Sequence, residues 1–371
     1  MTFAPTPEQD QLRGEVRRFL AATSSSAARR ELISDGTGID RQAWQTMAGQ
    51  LGVHALAIPE EYGGAGASFV ETGIVFEEMG YALAVSPYLS SIGLAASLLT
   101  CCDDEAARKD LLPGLADGSV IGTAALADEP GDFDPGRLTI HAEHEASGWQ
   151  LTGSSAFVTD GMIADLILMP ARTDGGLSLF ALDGDACGVE RQPMSALDLT
   201  RPLARITCSD TPARLIGTAG EAEPVLREGR DRAIACLAAE QAGGARRCLD
   251  MAVEYAKTRV QFGRPIGSFQ AVKHTWANIL LQTESARSAA YYANWAIAEE
   301  PEEVPVAVAL AGACCSDAYV AAAAENIQTH GGIGFTWEHD AHLFLRRAKS
   351  CQLLFGSPDS FRDRLAELGG Y

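Results

Sequence analysis

The stretch that decides the fold is YAKTRVQFGRPIGSFQAVKH, residues 255–274. Its pattern predicts the end of one helix, a turn that Gly263 permits, and a second helix capped by Ser268. Arg259 and Phe262 stand where the first helix should stop. A cation and an aromatic ring at such a corner suit a ligand with a phosphate and a flat ring. An ordinary helical hairpin is the alternative.

The composition predicts a cytoplasmic protein of more than one domain. A chain of 371 residues is too long for one compact core and suggests two or three domains. Hydrophobic residues make up 47%, but no run approaches 18 uninterrupted apolar residues, so no membrane span is expected. The acidic and polar opening MTFAPTPEQDQLRGEV does not have the pattern of a secretory leader.

The cysteines argue against a metal site, and the net charge argues against a nucleic-acid-binding site. Nine cysteines occur without a CxxC pair or any spacing typical of zinc, so no metal is expected and the thiols are predicted to be reduced. A formal net charge of −20 argues against nucleic-acid binding, which needs a basic face. Residues 227–275 are different, with nine basic and five acidic side chains, and would attract a polyanionic ligand, although a solvated helix face is the alternative.

Hydrophobic periodicity divides the chain into three parts. Residues 1–119 have the spacing of helices, residues 120–218 have the texture of short strands, and residues 219–371 return to long helices. Within the middle part, residues 148–161 are predicted to form two strands joined at a glycine turn. The last part should be interrupted by turns at 263–267, 299–305, 331–334 and 356–358.

Four further motifs accompany residues 255–274 along the chain. They are IPEEYGGAGASFVETGIVFEEMGYAL at 58–83, ADEPG at 127–131, FVTDG at 157–161 and QTHGGIGFTWEHDAHLFLRRAK at 328–349. Their order and spacing resemble those of the acyl-CoA dehydrogenase family over nearly the whole chain. The resemblance implies an α+β fold with an N-terminal helical domain, a middle β domain and a C-terminal helical bundle. It also implies FAD as the cofactor.

The resemblance assigns cofactor contacts to individual residues. Phe157 and Thr159 correspond to the strand end that holds the flavin ring, with Phe157 where Trp is common. Asp128 stands where the family usually has Ser or Thr, which replaces a hydroxyl donor by a carboxylate. The residues implied to contact the FAD of a neighbouring subunit are Arg259, Phe262, Gln328, Gly331 and Gly332.

The family's catalytic base has no counterpart at either of its known positions. Phe355-Gly356-Ser357 occupies the slot of the usual Glu-Gly-Thr, and Ala233 occupies the alternative position on the first long C-terminal helix. Asp359 or Asp363 could reach this slot only if the turn were wound differently, and Pro358 should instead begin a terminal helix that leads away from it. Glu240 remains a candidate for a relocated base. It lies seven residues after Ala233, which is about two helical turns, so both residues are on the same side of the helix. The competing interpretation is a structural ion pair with an arginine such as Arg247.

Three functional hypotheses follow. The first is a subunit that helps to bind FAD, lacks its own base and is completed by a partner. The ending LLFGSPDSFRDRLAELG, residues 353–369, resembles the base-lacking subunits of actinobacterial heterotetrameric steroid-CoA dehydrogenases. The second is a self-sufficient acyl-CoA dehydrogenase with Glu240 as a relocated base. The third is a flavin oxidase or monooxygenase on the same fold.

The first two hypotheses imply α,β-dehydrogenation of an acyl-CoA thioester in fatty acid or steroid side-chain catabolism. The implied partners are the acyl-CoA substrate, an electron-transferring flavoprotein, and further subunits in a homo- or hetero-oligomer, a dimer or a tetramer. One sequence does not reveal the acyl group, because its length is set by side chains at the base of the pocket.

Overall fold

The computed structural model describes residues 5–127, 138–146 and 148–371, and its first part is helical. Thr6 and Gln9 form a reciprocal capping box at the first helix, and the Ser68 hydroxyl caps the fourth. A π-helical segment, Leu89–Ala96, runs directly into the fifth. The helices are α1 (Pro7–Thr23), α2 (Ser26–Asp35), α3 (Arg41–Gly49), α4 (Phe69–Ala82), α5 (Ser97–Cys101) and α6 (Glu105–Ala116).

A seven-stranded sheet follows. Its strands are β1 (Gly122–Ala124), β2 (His141–Glu145), β3 (Gly148–Thr159), β4 (Leu166–Thr173), β5 (Gly176–Asp183), β6 (Val189–Met194) and β7 (Leu203–Ile216). The pairings run from β4 through β2, β3, β7 and β5 back to β4, so five strands form a closed ring. β1 pairs with β4 and β6 with β7 outside this ring. Closure removes strand edges that would otherwise expose unpaired backbone groups.

The prediction of two strands within residues 148–161 is wrong, because β3 is one long strand. Its register against β7 shifts between Leu151 and Gly153. Gly153 has a φ of 140°, and a Cβ there would lie 2.8 Å from the Cα of Ile140. This glycine therefore permits a bulge and a close backbone contact, and the chain does not turn back at it.

Five helices form the C-terminal part, and each predicted interruption falls between two of them. They are α7 (Glu223–Thr258), α8 (Gln270–Glu299), α9 (Val304–His330), α10 (Ala341–Leu353) and α11 (Pro358–Leu368), with a short hairpin of β8 (Val260–Gln261) and β9 (Arg264–Pro265) after α7. Pro358 begins α11 as expected. Ser268 does not cap α8, because the residue at the N-cap position is Phe269, which has no side-chain acceptor.

Helix α9 is apolar enough to pass for a membrane span by length and composition. The segment Pro301–Phe335 meets both criteria, but 67% of its most apolar window is buried inside the protein. Against this helix, a Cβ added at Gly244 of α7 would lie 2.4 Å from the Tyr319 ring. The apolar character of α9 therefore reflects its place in the core of the helical bundle.

Two glycines let α4 and α7 cross with their backbones in near contact. A Cβ at Gly80 would lie 1.9 Å from the carbonyl oxygen of Glu240, and one at Gly243 would lie 1.8 Å from the carbonyl oxygen of Glu77. Backbone oxygens in two helices cannot move aside as a flexible side chain can. The crossing therefore requires glycine at both positions, and it fixes the Glu240 backbone against the N-terminal helices.

Replacing Gly243 by alanine should destabilise the protein by about 1–3 kcal/mol, because the added methyl group overpacks this crossing. Gly14→Ala is the matched control: Gly14 lies within α1, and a Cβ there would meet no atom within 4 Å. This control should stabilise the protein by roughly 0.5–1 kcal/mol through helix propensity. Urea denaturation of both variants measures the difference, and similar effects would argue against the close crossing.

Candidate functional site

The corner between α7 and α8 is exposed and carries both cations and aromatic rings. Phe262 is 92% exposed, and its φ of 52° lies in the left-handed region that costs a phenylalanine energy. Its ring meets that of Phe269 edge-on at 6.1 Å, and the Arg264 guanidinium lies 4.1 Å from the centre of the Phe269 ring. Arg259 is exposed where α7 ends. The corner therefore offers a ring and charges to another molecule.

The glycine loop after α9 lies beside this corner. The rings of His330, at the end of α9, and Tyr255, near the end of α7, are 4.3 Å apart. Gln328 is exposed on the last turn of α9. Gly331 has a φ of 66°, and a Cβ at Gly331 or Gly332 would meet no atom within 4 Å. Since this chain's own packing does not require glycine at 332, the exposed backbone there has room for a ligand.

His330 is a structural link between the two helices. Its Nδ1 lies 2.8 Å from the carbonyl oxygen of Asn326, and its ring is 4.3 Å from that of His339. Burial lowers the pKa of His330, so the imidazole is neutral at pH 7. These contacts do not suit a proton carrier.

The strand end that carries Phe157 and Thr159 is held by its neighbours. Phe157 is 37% exposed with a φ of 56°, and its N–H lies 3.3 Å from Met194 Sδ. Thr159 is buried, and its carbonyl accepts a hydrogen bond of 2.6 Å from the Thr123 hydroxyl. Asp128 and the rest of the ADEPG motif beyond Ala127 lie outside the described residues.

Asp160 ties this strand end to the N-terminal helices, a role that the sequence did not suggest. Its carboxylate accepts a hydrogen bond of 2.7 Å from the Ser90 hydroxyl, and its N–H donates to the carbonyl of Pro202 at 2.9 Å. Burial raises the pKa of Asp160 to about 6. The FVTDG motif thus carries a buried carboxyl group next to Thr159, and this group ties the strand end to Ser90.

The two expected positions of a catalytic base lie against the same part of the core. Ala233 on α7 is fully buried, and Phe355 packs against the hydrophobic cluster that contains Ala233. Arg230, three residues before Ala233, donates a hydrogen bond of 2.7 Å to the carbonyl of Phe355. Neither a methyl group nor a phenyl ring can accept a proton.

Glu240 lies in a buried network of ion pairs. Arg201 Nη2 contacts both of its carboxylate oxygens, at 2.7 and 2.6 Å, and Arg347 Nη1 contacts one at 2.5 Å. Burial would raise the pKa of Glu240, but the charges of Arg201 and Arg347 outweigh it and hold the pKa below its usual value. The expected partner Arg247 lies instead over the Tyr81 ring, at 5.3 Å. Glu240 is thus a fixed carboxylate and a poor proton acceptor.

The same network joins the β domain to the helical bundle. Arg347 Nε donates to Asp198 Oδ2 and to Thr200 Oγ1, both at 2.9 Å, and Arg201 Nη1 lies 3.2 Å from Cys351 Sγ. The loop between β6 and β7 is therefore fixed to α7 and α10. No local pattern in the sequence predicts these contacts, because their members come from three distant segments.

Asp231, two residues before Ala233 on α7, is also bound by an arginine. Arg364 on α11 binds both oxygens of Asp231, each at 2.7 Å. On α11 itself, Asp359 pairs with Arg362 at 2.7 Å.

Within residues 5–127, 138–146 and 148–371, no group of three or more His, Cys, Asp or Glu side chains is arranged to hold a metal ion.

Comparison with known proteins identifies the family. The profile of the acyl-CoA dehydrogenase N-terminal domain matches residues 6–119, and that of the C-terminal domain matches residues 228–369. The chain belongs to the acyl-CoA dehydrogenase family. It is 36% identical to acyl-CoA dehydrogenase IpdE2 of Mycobacterium tuberculosis, and the match covers 98% of both chains.

Solved structures extend the likeness to the whole fold. One chain of the ChsE4-ChsE5 complex of Mycobacterium tuberculosis is 28% identical to this chain and superposes on it with a TM-score of 0.90. The match covers 100% of this chain and 99% of that one. The Tcur3481-Tcur3483 steroid ACAD is 28% identical with a TM-score of 0.88, covering 98% of each chain. The predicted fold class and the resemblance to this family are confirmed. Family membership also supports FAD as the cofactor and an acyl-CoA as the substrate.

Proposed function

We propose that this chain is an FAD-binding subunit of an acyl-CoA dehydrogenase complex and lacks a catalytic base of its own. The reaction is α,β-dehydrogenation of an acyl-CoA thioester, and a partner subunit supplies the carboxylate that removes the α proton. The observation that carries this proposal is that Phe355 and Ala233 fill both family positions of the base. Neither can act as a general base.

Neither Glu240 nor Asp231 on α7 fits the role. A general base needs a lone pair directed at the substrate and a pKa near the working pH. Glu240 is bound by Arg201 and Arg347, and Asp231 is bound at both oxygens by Arg364. This arrangement weighs against the alternative of a self-sufficient enzyme with Glu240 as its base.

The described residues fit FAD at two places. FAD, when bound, accepts the hydride that leaves the β carbon of the substrate. We infer that Phe157 and Thr159 hold the flavin ring at the β domain. We also infer that Arg259, which is exposed at the end of α7, gives its charge to the pyrophosphate of a neighbour's FAD, and that the open backbone at Gly331 and Gly332 contacts the same group.

An exposed apolar surface supports a partner subunit. Phe262 is 92% exposed and Phe335, in the glycine loop, is 79% exposed, with Ile333 and Trp337 beside it at 46% and 53%. Large apolar groups clustered on a surface mark protein interaction sites. The ChsE4-ChsE5 structure, a complex, supports a heteromeric assembly. The steroid ACAD supports a steroid or fatty acyl thioester, and by family analogy the electron acceptor is an electron-transferring flavoprotein.

Replacing Arg259 by alanine should release FAD from the oligomer, because it removes a charge-assisted contact with the pyrophosphate. Flavin absorbance per subunit after gel filtration with light scattering measures the loss. Arg246→Ala is the matched control, since Arg246 is an exposed arginine on α7 that pairs with Asp250 and Glu284. The control should keep its flavin. Unchanged flavin in Arg259→Ala, or a monomer with one tightly bound FAD, would refute this contact.

A further inference from the structure

The corner between α10 and α11 fills the region where a complete subunit would carry its base. Phe355 is half-buried and packs against two separate hydrophobic clusters. One cluster joins N-terminal helices to the helical bundle. The other contains Ala233 and includes side chains from strands β1, β4 and β5. The phenyl ring therefore lies across the junction of the helical and β parts of the chain.

Two arginine contacts hold this corner against the start of α7. Arg230 donates to the carbonyl oxygen of Phe355 at 2.7 Å, and Arg364 binds Asp231 through two hydrogen bonds of 2.7 Å. The first contact fixes the backbone of Phe355 itself. The second fixes α11, which begins three residues later.

The backbone at this corner is strained, and the two arginine contacts hold it in that conformation. Phe355 has a φ of 64° and Gly356 a φ of 134°. A non-glycine residue in the left-handed region is energetically unfavourable and persists only where its surroundings hold it there. Arg230 and the Asp231–Arg364 pair supply that restraint. The chain thus keeps a bulky apolar ring in a position that its backbone alone disfavours.

We propose that Phe355 is a plug that closes this chain's own acyl pocket, with Arg230 and Arg364 as positioning residues that keep it in place. An acyl-CoA thioester then reaches a pocket only in the partner subunit. The inference rests on the proposed function, because that function puts the acyl pocket beside Ala233 and the slot of Phe355. With the plug in place, this chain lacks a base and also cannot bind the acyl group of the substrate.

The test compares the binding of S-hexyl-CoA, a non-reactive thioether, with that of CoA by isothermal titration of the purified full chain. The wild-type chain should bind both equally, since the hexyl group finds no pocket. Phe355→Gly should bind S-hexyl-CoA roughly tenfold to a hundredfold more tightly than CoA, because each buried CH₂ group adds to affinity. Glycine also relieves the strained φ, which favours folding of this variant.

Leu353→Ala is the matched control, because Leu353 lies two residues away and is 73% exposed. It should bind S-hexyl-CoA and CoA equally, as the wild type does. Phe355→Leu keeps an apolar side chain and tests the plug if the glycine variant does not fold; it should show a smaller preference for S-hexyl-CoA. A wild-type chain that already prefers S-hexyl-CoA, or a folded Phe355 variant that gains no preference, would overturn the plug. Either result leaves the proposed function standing, because that function is tested separately, by turnover of the lone chain and of the complex with its partner.

Discussion

Replacing Glu240 by alanine should destabilise the folded protein by about 3–5 kcal/mol, the range typical of removing one partner from a buried ion pair. The change leaves the Arg201 and Arg347 guanidinium groups buried without the carboxylate that binds them both. It also weakens the link between the β domain and the helical bundle. A loss of this size is a large part of the roughly 5–15 kcal/mol that keeps a typical protein folded. Urea denaturation followed by circular dichroism measures it.

Glu254→Ala is the matched control for this prediction. Glu254 lies on the same helix and pairs with Lys257, but its side chain is 69% exposed. An exposed pair contributes about 0–1 kcal/mol, so the control should be nearly as stable as the wild type. A Glu240 variant as stable as the control would contradict the structural role. If Glu240→Gln folded normally and only turnover by the chain were lost, the relocated base would replace our account.

Purified alone, the chain should show at most a trace of acyl-CoA dehydrogenation with an artificial electron acceptor. A general base contributes about 10²–10⁴-fold, and the two family positions hold Phe355 and Ala233. The assay needs the flavin content of each preparation, so that loss of FAD is not mistaken for loss of the base. Robust turnover by the lone, folded, flavin-loaded chain would rule out a subunit that depends on a partner.

The helical part of the fold was predictable because its signals are local. Gly263 and the glycines after His330 lie in the breaks that follow α7 and α9, and Pro358 begins α11. The β domain was less predictable. Gly153 looks like a turn residue in the sequence, but it forms a bulge because β7 and Ile140 pack against it. Such contacts come from distant residues and leave no local pattern.

The same limit applies to the candidate site. Arg259 and Phe262 were predicted from a short motif at a helix end, and the structure leaves both exposed there. The surroundings of Glu240 were not predictable, because Arg201 and Arg347 come from separate segments and only the folded chain brings them together. An apolar sequence around a glutamate indicates burial, but it does not say which cation compensates the charge.

Turnover by a reconstituted complex tests whether a partner subunit supplies the catalytic base. The chain is co-expressed with a second acyl-CoA dehydrogenase-family chain that carries a glutamate at the position of Phe355. We predict that the purified complex oxidises its acyl-CoA, and that changing the partner's glutamate to glutamine lowers turnover by about 10²–10⁴-fold. A complex no more active than the chain alone, or one whose activity survives that change, would contradict the account.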